Sequence, residues 1–410
     1  MRDAAHSAWP VCRLQEVTTK IGSGATPKGG RDSYKAEGLS LIRSLNVHDL
    51  DFRYEQLAKI DDEQAAALSN VEVQPDDVLL NITGASIARC CVVPNEVLPA
   101  RVNQHVSIIR PIPEVLNSRF LALLLVSGDM KDKLLGIGDK AGATRQALTK
   151  AQLQDFSISL PPLEEQRRIV AVLDEAFEGL ASARAHAEVN LHNARELFDT
   201  LVDEVFVDDD ITPTPLAGLV SDDCTLSYGI VQPGGDVEHG LPIVRPTDFG
   251  PREIFLEGLK RIDPAKAAGY ARTELQGGEL LLCVRGTTGS IGLASEELAG
   301  ANVTRGIVPV RFDPRKILPG FGYFQFRSRF VQEQIAAGTY GAALMQINIR
   351  DLRKLQLYAP PVDRQEKALA RLRQTEELCL QLELAQSANL QDLDDLRQSL
   401  LQKAFAGELT

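Results

Sequence analysis

Two long stretches of this chain step their apolar residues by three and four. Between Leu163 and Val205 the series runs Val170, Leu173, Phe177, Leu180, Ala187, Leu191, Ala194, Phe198 and Leu201, interrupted by the polar Arg184. The stretch contains no proline and a single glycine, Gly179. That period predicts an α-helix, and its heptad regularity suits a helix lying along another helix. A looser stripe of Leu369, Leu372, Cys379, Leu382, Leu390, Leu393, Leu400 and Ala404 follows near the end of the chain. Each stretch comes directly after a double proline, Pro161-Pro162 or Pro360-Pro361, which cannot continue a strand ladder. At ~1.5 Å per residue, about forty residues make a rod of roughly 60 Å. A lone rod would leave its stripe in water, so the two are predicted to pair with each other. The alternative is that each packs back on its own domain.

Before each double proline the pattern changes. Short β-branched runs (Ser40–Ile42, Val78–Ile82, Val106–Ile109) alternate with clusters of Gly, Pro, Asn and Asp, which predict strands joined by turns. One helix is predicted across residues 117–135. The longest apolar run, Phe120 to Val126, is far shorter than the ~20 residues a membrane span needs. The first residues show no apolar segment of secretory type, so a cytoplasmic location is expected.

The plan occurs twice. Gly38-Leu-Ser-Leu-Ile-Arg43 matches Gly240-Leu-Pro-Ile-Val-Arg245, and Val73 to Leu80 matches Leu275 to Leu282, both 202 residues later. Val102 to Arg110 parallels Val303 to Arg311 at 201, and Gly142-Ala143 to Gln166 parallels Gly341-Ala342 to Gln365 at 199. One unit of about 200 residues has been duplicated and has diverged. The expected architecture is α+β: two similar mixed α/β domains, residues 1–160 and 208–358, each followed by a long helix, residues 161–207 and 359–410.

Charge then enters. The net charge of −12 weighs against nucleic acid, but residues 161–207 and 359–410 carry nine of the twelve excess negative charges. Both globules are therefore close to neutral and can present a basic face within a Debye length of ~8 Å. The acidic helix residues, Glu164, Glu165, Asp174, Glu175 and Glu178 on one and Asp392, Asp394 and Asp395 on the other, suit a protein partner better than DNA. Six cysteines lack C-x-x-C spacing, and Cys90-Cys91 reads as two small apolar residues of a strand rather than a redox or metal site.

Paired globules on a rigid spacer suit a ligand that repeats in space, as DNA does every ~34–36 Å. The contact candidates are polar residues in turns and loops. In the first copy they are Thr26, Lys28 and Arg31 in a Gly-rich basic turn, Arg43, then Asn81, Thr83 and Ser86 around Gly84, Asn103-Gln104-His105, and Thr144-Arg145-Gln146. In the second they are Arg245, then Arg285, Thr287, Thr288 and Ser290 around Gly286 and Gly289, Thr304-Arg305, and Gln346. Arg and Gln can each grip a base edge with two hydrogen bonds. Every one of these positions also suits an ordinary surface loop or turn.

Catalytic readings find less support. Gly22-Ser-Gly24 lacks the spacing of a phosphate loop. Gly136-Ile-Gly138 follows a charged helical stretch rather than the strand a nucleotide turn requires. Asp76-Asp77, which has the look of a nuclease carboxylate pair, becomes Gly278-Glu279 in the repeat. No Asn-Pro-Pro-aromatic run of an amino-methyltransferase is present, and no catalytic or metal residue is assigned.

Leu160-Pro-Pro-Leu-Glu-Glu-Gln-Arg-Arg-Ile169 opens the first long helix, and Leu396 to Leu409 closes the second. Through these two segments, Val78 to Ile87 and Gly142 to Leu148, the chain resembles the specificity subunits of type I restriction-modification enzymes. Val78 to Ile87 and Gly142 to Leu148 look like segments of the family's target-recognition domains. Two departures are Ala359-Pro-Pro-Val-Asp-Arg-Gln365, a degraded copy of the helix-opening motif, and Ala88, where the family often has Gly. The resemblance implies two target-recognition domains joined by two antiparallel coiled-coil helices. Each domain would read half of a split site on double-stranded DNA, and the helices would set the spacing and bind two methyltransferase subunits. Restriction subunits would join them. This chain would bind no cofactor; its partners would use S-adenosylmethionine, ATP and Mg2+. The rival readings are a coiled-coil scaffold without DNA binding and a stand-alone DNA methyltransferase or nuclease.

Overall fold

The structure is a computed structural model that describes residues 9–27, 30–139, 147–206, 211–250, 252–341 and 345–408. The chain divides into two compact units, residues 1–187 with 388–410, and residues 188–387. Each long helix therefore contributes to both. The first helix spans Leu163–Val205 and the second Val362–Phe405.

In the first unit an antiparallel sheet has the order Thr18–Ser23, Val106–Pro111, Val78–Asn81, Cys90–Val92. A second sheet runs Ala58–Ile60, Leu39–Ile42, Ala100–Val102, Glu72–Val73, with Val102 beside Ile42 in a parallel central pair. Its main core surrounds the helix Ser118–Val126, of which every residue from Phe120 to Val126 is buried. The ends of both long helices enter that core: Ile169 and Leu173 from one, Leu401 and Ala404 from the other. Burial of Ile169, Leu173 and Leu401 stabilises by ~1.5–3 kcal/mol each. The two helices run antiparallel here. Arg184 meets Asp394 at 2.7 Å and Phe177 meets Arg397, so residue numbers fall on one helix as they rise on the other.

The second unit repeats these pairings. Ile291–Ala294, Leu280–Cys283 and Ile307–Val310 form the counterpart of the first sheet, and Val303 lies parallel to Val244 as Val102 does to Ile42. The edges differ. Glu253–Ile254 adds a parallel strand beside Ile291–Ala294, on the edge opposite to the one Thr18–Ser23 takes in the first unit. Phe198, Leu201, Leu369 and Leu372 of the long helices pack with Phe321, Tyr323 and Phe324. Within this unit Arg195 of the first long helix and Glu383 of the second lie 3.0 Å apart.

Two expectations are corrected. The helix foreseen across residues 117–135 is two helices, Ser118–Val126 and Gly128–Asp139, because Ser127 turns to an extended conformation and its hydroxyl donates to the Leu124 carbonyl at 2.7 Å. Ser328 makes the same break in the second unit, donating to Gln325 at 2.6 Å. The apolar stripe of the second long helix also fails at Leu382, which is exposed, while the neighbouring Glu383 accepts from Arg195.

Candidate nucleic-acid interface

A glycine sets the entry to the site in each unit. A Cβ on Gly24 would lie 1.9 Å from the Val102 carbonyl oxygen, and one on Gly229 would lie 2.0 Å from that of Val303. Only a bare backbone can pass so close. Gly22 and Ser23 end the strand Thr18–Ser23 and Gly24 lies against Val102, so Gly22-Ser-Gly24 is no phosphate loop. Gly136 and Gly138 lie inside the helix Gly128–Asp139, so they form no nucleotide turn either.

Beyond Gly24 the first unit brings Thr26, Gln104, His105 and Thr83 into one hydrogen-bonded row. Thr26 donates to the amide oxygen of Gln104. The Gln104 amide nitrogen donates to Nε2 of His105 at 2.9 Å, which leaves the imidazole proton on Nδ1, and Thr83 Oγ1 accepts it at 2.5 Å. Ser86 and Arg89 share with Thr83 and His105 an open depression beside Gly84. Gln104 is exposed, with one amide hydrogen and one lone pair unused in the row. Asn103 is buried beneath, its side chain accepting from the His105 N–H at 3.0 Å.

Other predicted positions turn inward. Asn81 is fully buried and donates to the carbonyls of Ser44 and Val47 at 2.9 and 3.2 Å. Arg43 is buried, bonded to the Gln56 carbonyl and stacked over Tyr34. Its counterpart Arg245 is tied by two nitrogens to Asp248, at 3.1 and 2.7 Å, and that bond raises its already high pKa. Lys28 and Thr144-Arg145-Gln146 lie outside the described residues, as does the side chain of Arg31, whose backbone is in the short turn Gly30–Ser33.

In the second unit the loop after Leu280–Cys283 turns on Gly286 and Gly289, both at positive φ. Arg285 bridges to Gln346, and Thr288 donates to the Met345 carbonyl at 3.0 Å. Thr83 and Ala147 make the corresponding bridge in the first unit. Thr287, Ser290 and Arg305 are exposed around this loop, while Thr304 is half-buried with its hydroxyl enclosed. The two units thus bring equivalent segments together but furnish them differently: Thr, Gln and His in one, Arg, Thr and Ser in the other.

Sequence reasoning missed the residues that hold this frame. Asp77 is fully buried and accepts from Arg110 at 2.7 and 2.8 Å; Glu279 accepts from Arg311 at 2.9 Å. The repeat was the available signal, since both acid and both arginine fall within matched segments. Among the described residues no group of three or more His, Cys, Asp or Glu is placed to hold a metal ion, and no helix is long and apolar enough to cross a membrane.

A family model described as the type I restriction modification DNA specificity domain matches residues 6–188. The type I restriction enzyme EcoBI specificity subunit of Escherichia coli is 26% identical over 99% of this chain and 87% of its own length. Residues 6–188 thus match a type I DNA specificity domain, and the chain is similar along its length to type I specificity subunits. The StySPI specificity subunit of Salmonella potsdam is 22% identical over 98% of the chain and 89% of its own length. Among solved structures, a chain from work on complex assembly and conformational transition of the type I restriction-modification system superposes with a TM-score of 0.74 at 20% identity. It covers 98% of this chain and 99% of that one. The HsdS subunit from Thermoanaerobacter tengcongensis gives 0.60 at 21% identity, over 98% of each chain. Both show the same fold.

Proposed function

We propose that this type I specificity subunit reads a two-part DNA site, one half with each unit, and leaves the chemistry to its partners. One observation carries the reading: the same strand pairing and loop junction are built twice, while the polar side chains on them differ. Two equal frames with unequal furnishings suit an asymmetric site, because base edges are read by side chains whereas phosphates serve mainly to position the protein.

In the first half the readers are Gln104, Thr26, Thr83, Ser86 and His105, joined by Lys28, Arg31, Thr144, Arg145 and Gln146 on sequence grounds. In the second they are Arg285, Thr287, Thr288, Ser290, Arg305 and Gln346. Arg43, Asn81, Asn103, Arg245 and Thr304 support these loops from below. Domain limits of 1–160 and 208–358 are part of the same proposal.

The long helices set the gap between the halves and dock two methyltransferase subunits. Exposed apolar residues on them, Leu378, Leu380, Leu382 and Leu384 on one and Val189 and Leu197 on the other, support this assignment. Restriction subunits complete a cytoplasmic assembly in which the partners use S-adenosylmethionine, ATP and Mg2+.

The test is methyl transfer from labelled S-adenosylmethionine to DNA. Transfer is expected when the chain is mixed with its methyltransferase subunits and absent with the chain alone; transfer by the chain alone contradicts the reading.

A further inference from the structure

Each long helix is rooted by one glutamine, and the two roots are built alike. Gln166 is fully buried; its amide nitrogen donates to the carbonyls of Pro161 and Val115, both at 2.9 Å, and its amide oxygen accepts from the Asn117 N–H at 2.8 Å. Gln365 is also fully buried. It donates to Pro360 at 2.7 Å and Lys316 at 2.8 Å, and accepts from the Leu318 N–H at 2.8 Å. Asn117 and Leu318 are the residues that immediately precede the core helices Ser118–Val126 and Pro319–Arg327. One side chain in each unit therefore ties the start of a long helix to the start of the helix at the centre of the core.

All six partners are main-chain atoms. The residues supplying them have diverged, Val115 against Lys316 and Asn117 against Leu318, yet the geometry is the same. A side chain that contacts only backbone is indifferent to sequence changes in the domain it holds. The glutamine amide supplies two donors and an acceptor without charge. Glutamate would set a carboxylate against two carbonyls, and an apolar residue would leave two carbonyls and an N–H buried without partners.

We propose that Gln166 and Gln365 are positioning residues. Each seats its recognition domain on the long helix in a pose that does not depend on which bases the domain reads, and so holds the gap between half-sites. The proposal rests on the specificity-subunit reading above.

The test uses the complete chain assembled with its methyltransferase subunits, on duplexes whose half-sites are separated by the native gap or by one base pair more or fewer. A misplacement of about 1 Å can cost about a hundredfold in rate. Gln166→Met and Gln365→Met are therefore expected to reduce the preference for the native gap at least about tenfold, with both half-sites still required. A merely structural role would lower transfer at all gaps by one factor. Leu318→Pro is the milder variant should a methionine variant not fold: residue 318 has φ −67°, which suits proline, and the change removes the N–H given to Gln365. It is expected to relax the gap in the same direction. Folded variants that keep the wild-type gap ratio overturn the proposal. A wild-type complex that methylates no split site overturns the underlying reading instead.

Discussion

Arg110 holds the buried carboxylate of Asp77 with two nitrogens, at 2.7 and 2.8 Å, while the Gln74 N–H donates to the same group at 2.7 Å. In the second unit Arg311 gives one nitrogen to Glu279 at 2.9 Å and another to Asp223, and the Gln276 N–H donates to Glu279 at 2.6 Å. A carboxylate so fully occupied is a structural tie, which disposes of the nuclease-like reading of Asp76-Asp77. Removing one partner of a buried pair typically costs ~3–5 kcal/mol. Asp77→Ala is expected to lower unfolding stability by about that amount in urea titration, with the folded fraction still directing methylation. A variant of unchanged stability that directs none would make Asp77 a functional group.

The thiols give a second prediction. Burial, with Asp51 adding repulsion, pushes the Cys91 thiol up to about 12; burial raises Cys283 to about 11. At pH 8 about one Cys91 in ten thousand is thiolate, and the thiolate is the reactive form. Alkylation followed by mass spectrometry is expected to leave both unmodified until the chain unfolds. The sign for stability follows from linkage. Unfolded thiols ionise near pH 9 while the folded ones stay protonated, so this contribution is intact below pH 9 and falls as pH rises toward 12. Rapid labelling of the native chain at pH 8 would place these cysteines at an accessible site.

The helix contacts differ in strength. Arg184 and Asp394 are each about half exposed, so their bond is worth ~0–1 kcal/mol and Arg184→Met should barely shift the melting curve. Leu401 is buried against the first unit's core, and Leu401→Ala should cost ~2–5 kcal/mol. Equal losses from the two substitutions would mean that charge, not packing, holds the pair.

At the candidate interface, Gln104→Ala and Arg285→Ala should act on different halves of the recognition site. Loss of a well-placed bidentate base contact costs ~1–3 kcal/mol in discrimination. The expected result, read by sequencing methylated DNA, is relaxed choice at one position of the first half for Gln104→Ala and of the second for Arg285→Ala. Uniform weakening without relaxed choice would make these side chains phosphate contacts.

Much of this is legible in the sequence. The three-and-four stepping of Val170 to Leu201 specified a helix because period is a local property, and the duplicated segments carried the same strand pairing into both units. What escaped was set by tertiary geometry. Asn81 and Arg43 are polar residues beside turns, yet their side chains are buried and donate to main-chain carbonyls. The break at Ser127 looks apolar-periodic from either side; only the serine hydroxyl returning to Leu124 ends the helix there. Gln166 and Gln365 were visible as aligned residues, but nothing in a sequence announces that their partners are backbone.

Exchange of residues 1–160 for the matching domain of a type I specificity subunit, followed by methylome sequencing of the host, tests the central claim most directly. The account predicts a new sequence in one half of the methylated site, with the other half and the gap unchanged. Simultaneous change in both halves would contradict it.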